Sequence, residues 1–258
     1  MKSTLYIALL ASLILFSCKK DNEENCPSGV NPNDEGMVRL NMSAYFGDEA
    51  FAVGNVYTNV NGYRIRIDDF KFYLSEASAI KEDGTLLPLI DIDLINLSSG
   101  NASQEISLPA GNYNGIQFSI GVPSELNKDQ DPTVYPNSHP LSVNGAQGMF
   151  WSWNTGYIFV KFEGKADLEG QEGNELLSPF AFHCGEDVLF RTHVVDNLAF
   201  SIGSDMTTEL NLNFQTDRFF YSDNDTIDIA VDNLTHTSGN LPLAERFTNL
   251  FNLAIEVE

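Results

Sequence analysis

Histidine, tryptophan and cysteine are the side chains here with chemistry beyond packing: four, two and three of them in 258 residues. The histidines are His139, His183, His193 and His236. No two stand at the i, i+4 spacing of a metalloprotease helix, and the sequence has no HExxH motif. It also has no Gly-x-Ser-x-Gly nucleophile elbow and no phosphate-binding loop. No constellation supports an enzyme, and the expectation is a non-catalytic protein. Neutral imidazole suits copper, zinc and nickel, so two histidines brought together would mark a metal site. His183 and Cys184 are neighbours and point to opposite faces of an extended chain, so one ion should not take both. Trp151 and Trp153, two positions apart, fall on one face of a strand.

These residues need elements to carry them. Met149 to Gly164 alternates around the turn signal Asn154-Thr155-Gly156, which reads as a strand pair. After the turn, Ile158, Val160 and Phe162 take one side, and Tyr157, Phe159, Lys161 and Glu163 the other. Further strands are expected at 37–44, 63–67, 70–74, 90–94, 189–194, 210–214 and 227–231, with a hairpin through Pro109-Ala110-Gly111 joining Ile106 and Leu108 to Ile116, Phe118 and Ile120. Val122 to Gly148 loses regular pattern, carries four prolines and His139, and runs straight into the tryptophans, the placement of a site-lining loop. Near the end, Pro242 suits a first helical turn, and Leu243, Phe247, Leu250, Phe251 and Ala254 recur at helical spacing. The sum is an all-β, antiparallel β-sandwich with long loops and a short C-terminal helix.

The N-terminal region calls for export. Residues 1–17 have the form of a lipoprotein signal peptide, with Leu15-Phe16-Ser17-Cys18 as the cleavage site and Cys18 as the lipidated residue. Residues 18–36 are polar and acidic and read as a tether, leaving 37–258 as the folded domain. No Asp follows Cys18 directly, which favours an outer-membrane lipoprotein facing the periplasm or the cell surface. A net charge of −22 excludes nucleic acid as a partner, since phosphate contacts need clustered Lys and Arg. Cys26 and Cys184 could be joined in an exported protein if their Cα atoms come within about 7 Å.

Several motifs together resemble one known family. They are Gly121-Val122-Pro123-x-x-Leu126-Asn127, His139-Pro140-Leu141, Gly148-Met149-x-Trp151-x-Trp153-x-x-Gly156-Tyr157 and Phe182-His183-x-Gly185. Phe70-x-Phe72-Tyr73-Leu74-Ser75, Pro109-Ala110-Gly111-x-Tyr113 and Asn233-x-Thr235-His236 fit as well. The pattern is similar to the MbnP family of exported copper-binding proteins, here in a Bacteroidetes-type lipoprotein. The resemblance implies copper held by histidines beside a tryptophan oxidised to kynurenine by a di-haem peroxidase-like partner. The expected role is copper acquisition or handling, with a TonB-dependent transporter as a further expected partner. Carried onto this chain, it points to His139 and His183 as ligands, Trp151 or Trp153 as the modified residue, and His236 and His193 in reserve. Cys184 departs from the pattern. A glycan- or protein-binding surface module without metal is the alternative, and it would leave the tryptophans exposed.

Overall fold

The computed structural model describes residues 34–152, 154–170 and 176–258. The signal peptide, Cys18, Cys26 and Trp153 lie outside the described residues. The strands are β1 (Glu35–Phe46), β2 (Glu49–Ala50), β3 (Val56–Thr58), β4 (Arg64–Lys81), β5 (Leu86–Asn96), β6 (Asn101–Pro109), β7 (Gly111–Ile120), β8 (Phe150–Ser152), β9 (Gly156–Asp167), β10 (Ser178–Gly185), β11 (Arg191–Val195), β12 (Phe200–Ile202), β13 (Thr207–Gln215), β14 (Leu234–Thr235) and β15 (Ile255–Val257). Among the described residues two α-helices join them, the single turn α1 (Ser124–Asn127) and α2 (Leu241–Leu253).

The expected sandwich is present, built from two sheets. The smaller runs β15-β13-β1-β2 with β6 also on β1, and the larger runs β11-β7-β4-β9-β10-β14 with β3, β5, β8 and β12 attached. Most pairs are antiparallel, but β1 with β13 and β10 with β14 are parallel, so both sheets are mixed. The 18-residue β4 organises the larger sheet. Its first half pairs with β9 and its second half with β7, while β5 lies along the opposite edge.

Phenylalanine fills the space between the layers. Phe70 and Phe72 of β4, Phe162 of β9 and Phe182 of β10 face Phe214 of β13, Phe219, and Phe247 and Phe251 of α2, all buried. Phe182 stacks on Phe247 at 4.4 Å, and Phe70 meets Phe162 edge-on at 5.5 Å. Such aromatic pairs add about 0.5–1.5 kcal/mol each beyond the area they bury. The helix forms as its sequence dictates. The Asn240 side chain accepts from Leu243 N, Pro242 sits in the first turn, and Leu243, Phe247, Leu250 and Phe251 make the buried stripe.

Two expectations are corrected. Pro109-Ala110-Gly111 is not a hairpin, because β6 pairs with β1 and β7 pairs with β4 in the other sheet. Ala110 N donates to Asp34 O (2.7 Å) and Tyr113 Oη donates to Pro109 O (2.6 Å), which makes the turn a corner between layers. Residues 227–231 form no strand. Asp228 closes a turn there, its side chain accepting from Ala230 N and its carbonyl from Val231 N and Asp232 N. Ile227 and Ile229 are still buried, as anchors of that turn.

Candidate metal site

Strand β10 divides its side chains between two environments. Phe180, Phe182 and Cys184 enter the core, which leaves His183 on the outer face. In register, His183 opposes Lys161 on β9, and Lys161 opposes Lys71 on β4; two residues along each strand, Glu163 opposes Asp69. On the other flank β14 runs parallel to β10 with Phe182 opposite Thr235, so the next residue, His236, arrives beside His183. The imidazoles meet edge to face, centroids 4.7 Å apart, with Nδ1 3.2 Å from Nδ1. The far nitrogen of His183, Nε2, is 2.7 Å from Glu163 Oε2.

Thr237 holds this junction closed. Its hydroxyl accepts from Gly185 N (2.8 Å) and donates to His183 O (3.0 Å), and its own N–H donates to Thr235 Oγ1 (3.1 Å). Thr237 is buried and has φ +54°, a left-handed conformation that costs a β-branched residue about 1–3 kcal/mol. These hydrogen bonds keep it there, and His236 is presented as a result.

The charges form a stripe across three strands. Lys161 Nζ lies 3.0 Å from Asp69 Oδ2 and 3.2 Å from Glu163 Oε1, and Lys71 Nζ is 3.1 Å from the same Asp69 oxygen. Burial would raise the Asp69 pKa, but the two ammonium groups outweigh it and hold the carboxyl below the usual range. Burial lowers the pKa of His183 and outweighs the opposing hydrogen bond from Glu163, with His236 and Lys161 adding to the lowering. Burial thus favours the neutral imidazole of His183, the form that binds a metal.

Trp151 packs against the end of β10. A Cβ built on Gly185 would stand 2.8 Å from Trp151 Cζ3 and 2.4 Å from Tyr157 O, so the indole's six-membered ring rests on a backbone that only glycine provides. Gly185 follows His183 by two positions, past the irregularity where β10 shifts register on β9, and is buried. The expected turn is present, with β8 paired to β9 and Gly156 at φ +72°. Asn127 ties the long loop to this turn, its Oδ1 accepting from Tyr157 N (2.9 Å) and its Nδ2 donating to Asp187 (2.7 Å). The loop covers Tyr73 and Tyr157, whose hydroxyls donate to Pro140 O and Leu141 O.

The structure pairs His183 with His236, the reserve, while the contacts of His139 are within its own loop. That ring stacks on Tyr135 at 4.3 Å, and its Nδ1 accepts from Leu141 N (3.1 Å). His193 stacks on Phe118 and bonds Asn252. Cys184 points away from the histidines as a buried free thiol, its pKa pushed up to about 12 by burial. Glu163 and Thr237 escaped sequence reasoning. Alternation put Glu163 on the face of Lys161, but only the strand register brings it to His183.

The family model described as MbnP matches residues 35–238. The chain belongs to the MbnP family. Among solved structures, MbnP from Methylosinus trichosporium is similar with a TM-score of 0.50 and 13% sequence identity, over 74% of this chain and 79% of that one. That likeness concerns the fold alone. No curated protein matches the chain. In this MbnP-family member, the described residues include no group of three or more His, Cys, Asp or Glu arranged to hold a metal ion. The separation of the two imidazole nitrogens is within the reach of one ion. Two metal–nitrogen bonds of about 2.0–2.1 Å span at most about 4 Å, and the Nδ1 atoms are 3.2 Å apart.

Proposed function

We propose that this chain is a copper-handling protein in which His183 and His236 hold one copper ion beside Trp151. The observation that carries the reading is the 3.2 Å approach of two imidazole nitrogens on an outer sheet face, reached from two strands far apart in sequence. Membership of the MbnP family, which is associated with copper, supports the coarse role. Copper would supply a soft Lewis acid with accessible redox states, and the chain's residues bind and orient it.

In the same reading Trp151 is the residue oxidised to kynurenine. Its six-membered ring rests on Gly185, and ring opening would turn an N–H donor into an amine and a ketone, groups that can approach a metal. A di-haem peroxidase-like enzyme performs that oxidation. The chain itself is no enzyme, is anchored to the outer membrane through lipid on Cys18, and passes copper to a TonB-dependent transporter. The metal-free glycan-binding alternative calls for exposed tryptophans, whereas Trp151 is partly buried against the core.

The test is co-production with the di-haem partner. Intact and peptide mass should show the tryptophan-to-kynurenine change at residue 151, and one equivalent of copper should bind. Protein that stays metal-free at micromolar copper, or that binds as well after H183A and H236A, would overturn the assignment.

A further inference from the structure

The outer face of β9 carries a carboxylate that copper binding by two imidazoles does not account for. Glu163 is one-third exposed and uses both oxygens, Oε1 on Lys161 and Oε2 on His183. Lys161 is anchored in turn by Asp69, which Lys71 also grips, so Glu163 is held from behind by a fixed cation. A carboxylate has no proton to give, so the 2.7 Å contact requires His183 to donate from Nε2. A neutral imidazole with its proton on Nε2 has its lone pair on Nδ1. That lone pair faces His236 Nδ1 at 3.2 Å. Turning the ring over would put a carbon where each nitrogen stands and lose both contacts.

We infer that Glu163 is the positioning residue of the metal site, fixing the ring and proton of His183 so that Nδ1 is the nitrogen offered to the ion. The inference rests on the copper reading for its purpose, though the proton's location can be measured without metal. In the metal-free protein His236 donates from Nδ1 to His183. His236 is solvent-exposed, so its proton can move to Nε2 when an ion takes Nδ1. His183 is preset and His236 switches. A carboxylate behind a ligating imidazole also raises its basicity, and losing such a partner costs about 10–100-fold in metal affinity.

Nitrogen-15 spectra of histidine-labelled, metal-free protein at neutral pH report which ring nitrogen carries the proton. The expected result is His183 protonated on Nε2 alone. In Glu163→Ala both tautomers should be populated and copper affinity should fall about 10–100-fold. Glu163→Gln should recover part of both, because the amide oxygen can accept the same proton. Unfolding temperatures of the variants should match the wild type. Should E163A fail to fold, the wild-type spectrum and E163Q still decide. A wild-type His183 protonated on Nδ1, or E163A binding copper with wild-type affinity, overturns the inference. Wild type with the expected proton but no copper uptake removes the copper reading instead, a separate failure.

Discussion

The two faces of the β9–β10 pair are made by the same stretch of chain and do opposite things. Inward, Phe162 and Phe182 lie opposite each other in register and pack into a ring cluster with Phe219, Phe220 and Phe247. Outward, Lys161, Glu163 and His183 form a half-buried polar stripe that ends at His236. The inner face gains from any well-fitting apolar ring and tolerates no charge. The outer face gains little stability from its ion pairs, since partly exposed pairs contribute about 0–1 kcal/mol, but it fixes directions. Rigidity comes from one side of the strand and chemistry from the other.

The sharpest break in that comparison is Phe162→Ala against His236→Ala. Phe162 is buried and meets Phe70, Phe180, Phe219, Phe220 and Phe247, so its loss should cost about 3–5 kcal/mol and about 10 °C in unfolding temperature. The histidine pair should survive in whatever F162A remains folded. His236 is exposed, and its removal should change stability by no more than about 0.5 kcal/mol while copper affinity falls at least about tenfold. Urea unfolding and copper titration of both variants check this. A large stability loss in H236A would mean that the faces are not separable.

The separation was legible in the sequence wherever period-two alternation operates. The opposite facing of His183 and Cys184, the turn at Gly156 and the helical stripe from Leu243 to Ala254 all follow from local pattern. Pairing across the chain was not. His183 meets His236 through a two-residue parallel contact between β10 and β14, which no periodicity in either segment announces. The corner after Pro109 failed for the same reason, since a Pro-Gly turn looks alike whether its strands pair or part between layers. Trp151 facing Gly185 was half-visible, because the glycine stands in the motif but its purpose appears only when an indole lies on it.

Gly185→Ala tests where the faces meet. The new methyl group would press on Tyr157 O and the Trp151 ring, a clash worth about 1–3 kcal/mol. Its mark beyond stability should be altered tryptophan fluorescence, with the Phe core intact by near-ultraviolet circular dichroism. Thr237 gives a smaller and more diagnostic effect. T237A removes the hydroxyl that serves Gly185 N and His183 O and keeps the positive φ, for a loss of about 1–2 kcal/mol. T237G loses the same bonds but relieves the backbone, so it should be more stable than T237A by about 1 kcal/mol. The reverse order would show that the strained turn is not what presents His236.

His193 supplies the smallest effect and the control for the site. It lies on β11, its ring stacked 4.8 Å from that of Phe118 and hydrogen-bonded to Asn252, with packing as its role. Burial lowers its pKa from the ordinary value and outweighs the Asn252 hydrogen bond, which raises it. The folded state therefore binds this proton less readily than the unfolded chain. Between the lowered folded pKa and the unfolded value of about 6.5, the unfolded state holds more protons and stability rises with pH. The contribution is complete above that unfolded value and is lost as pH falls through the folded pKa. His183, also lowered, contributes with the same sign. In His193→Gln the slope of unfolding free energy below about pH 6.5 should flatten only in part, and copper binding should equal the wild type's. A slope left untouched would show that His193 is not buried as a neutral ring. Lost copper would bring a third histidine into a site that geometry gives to two.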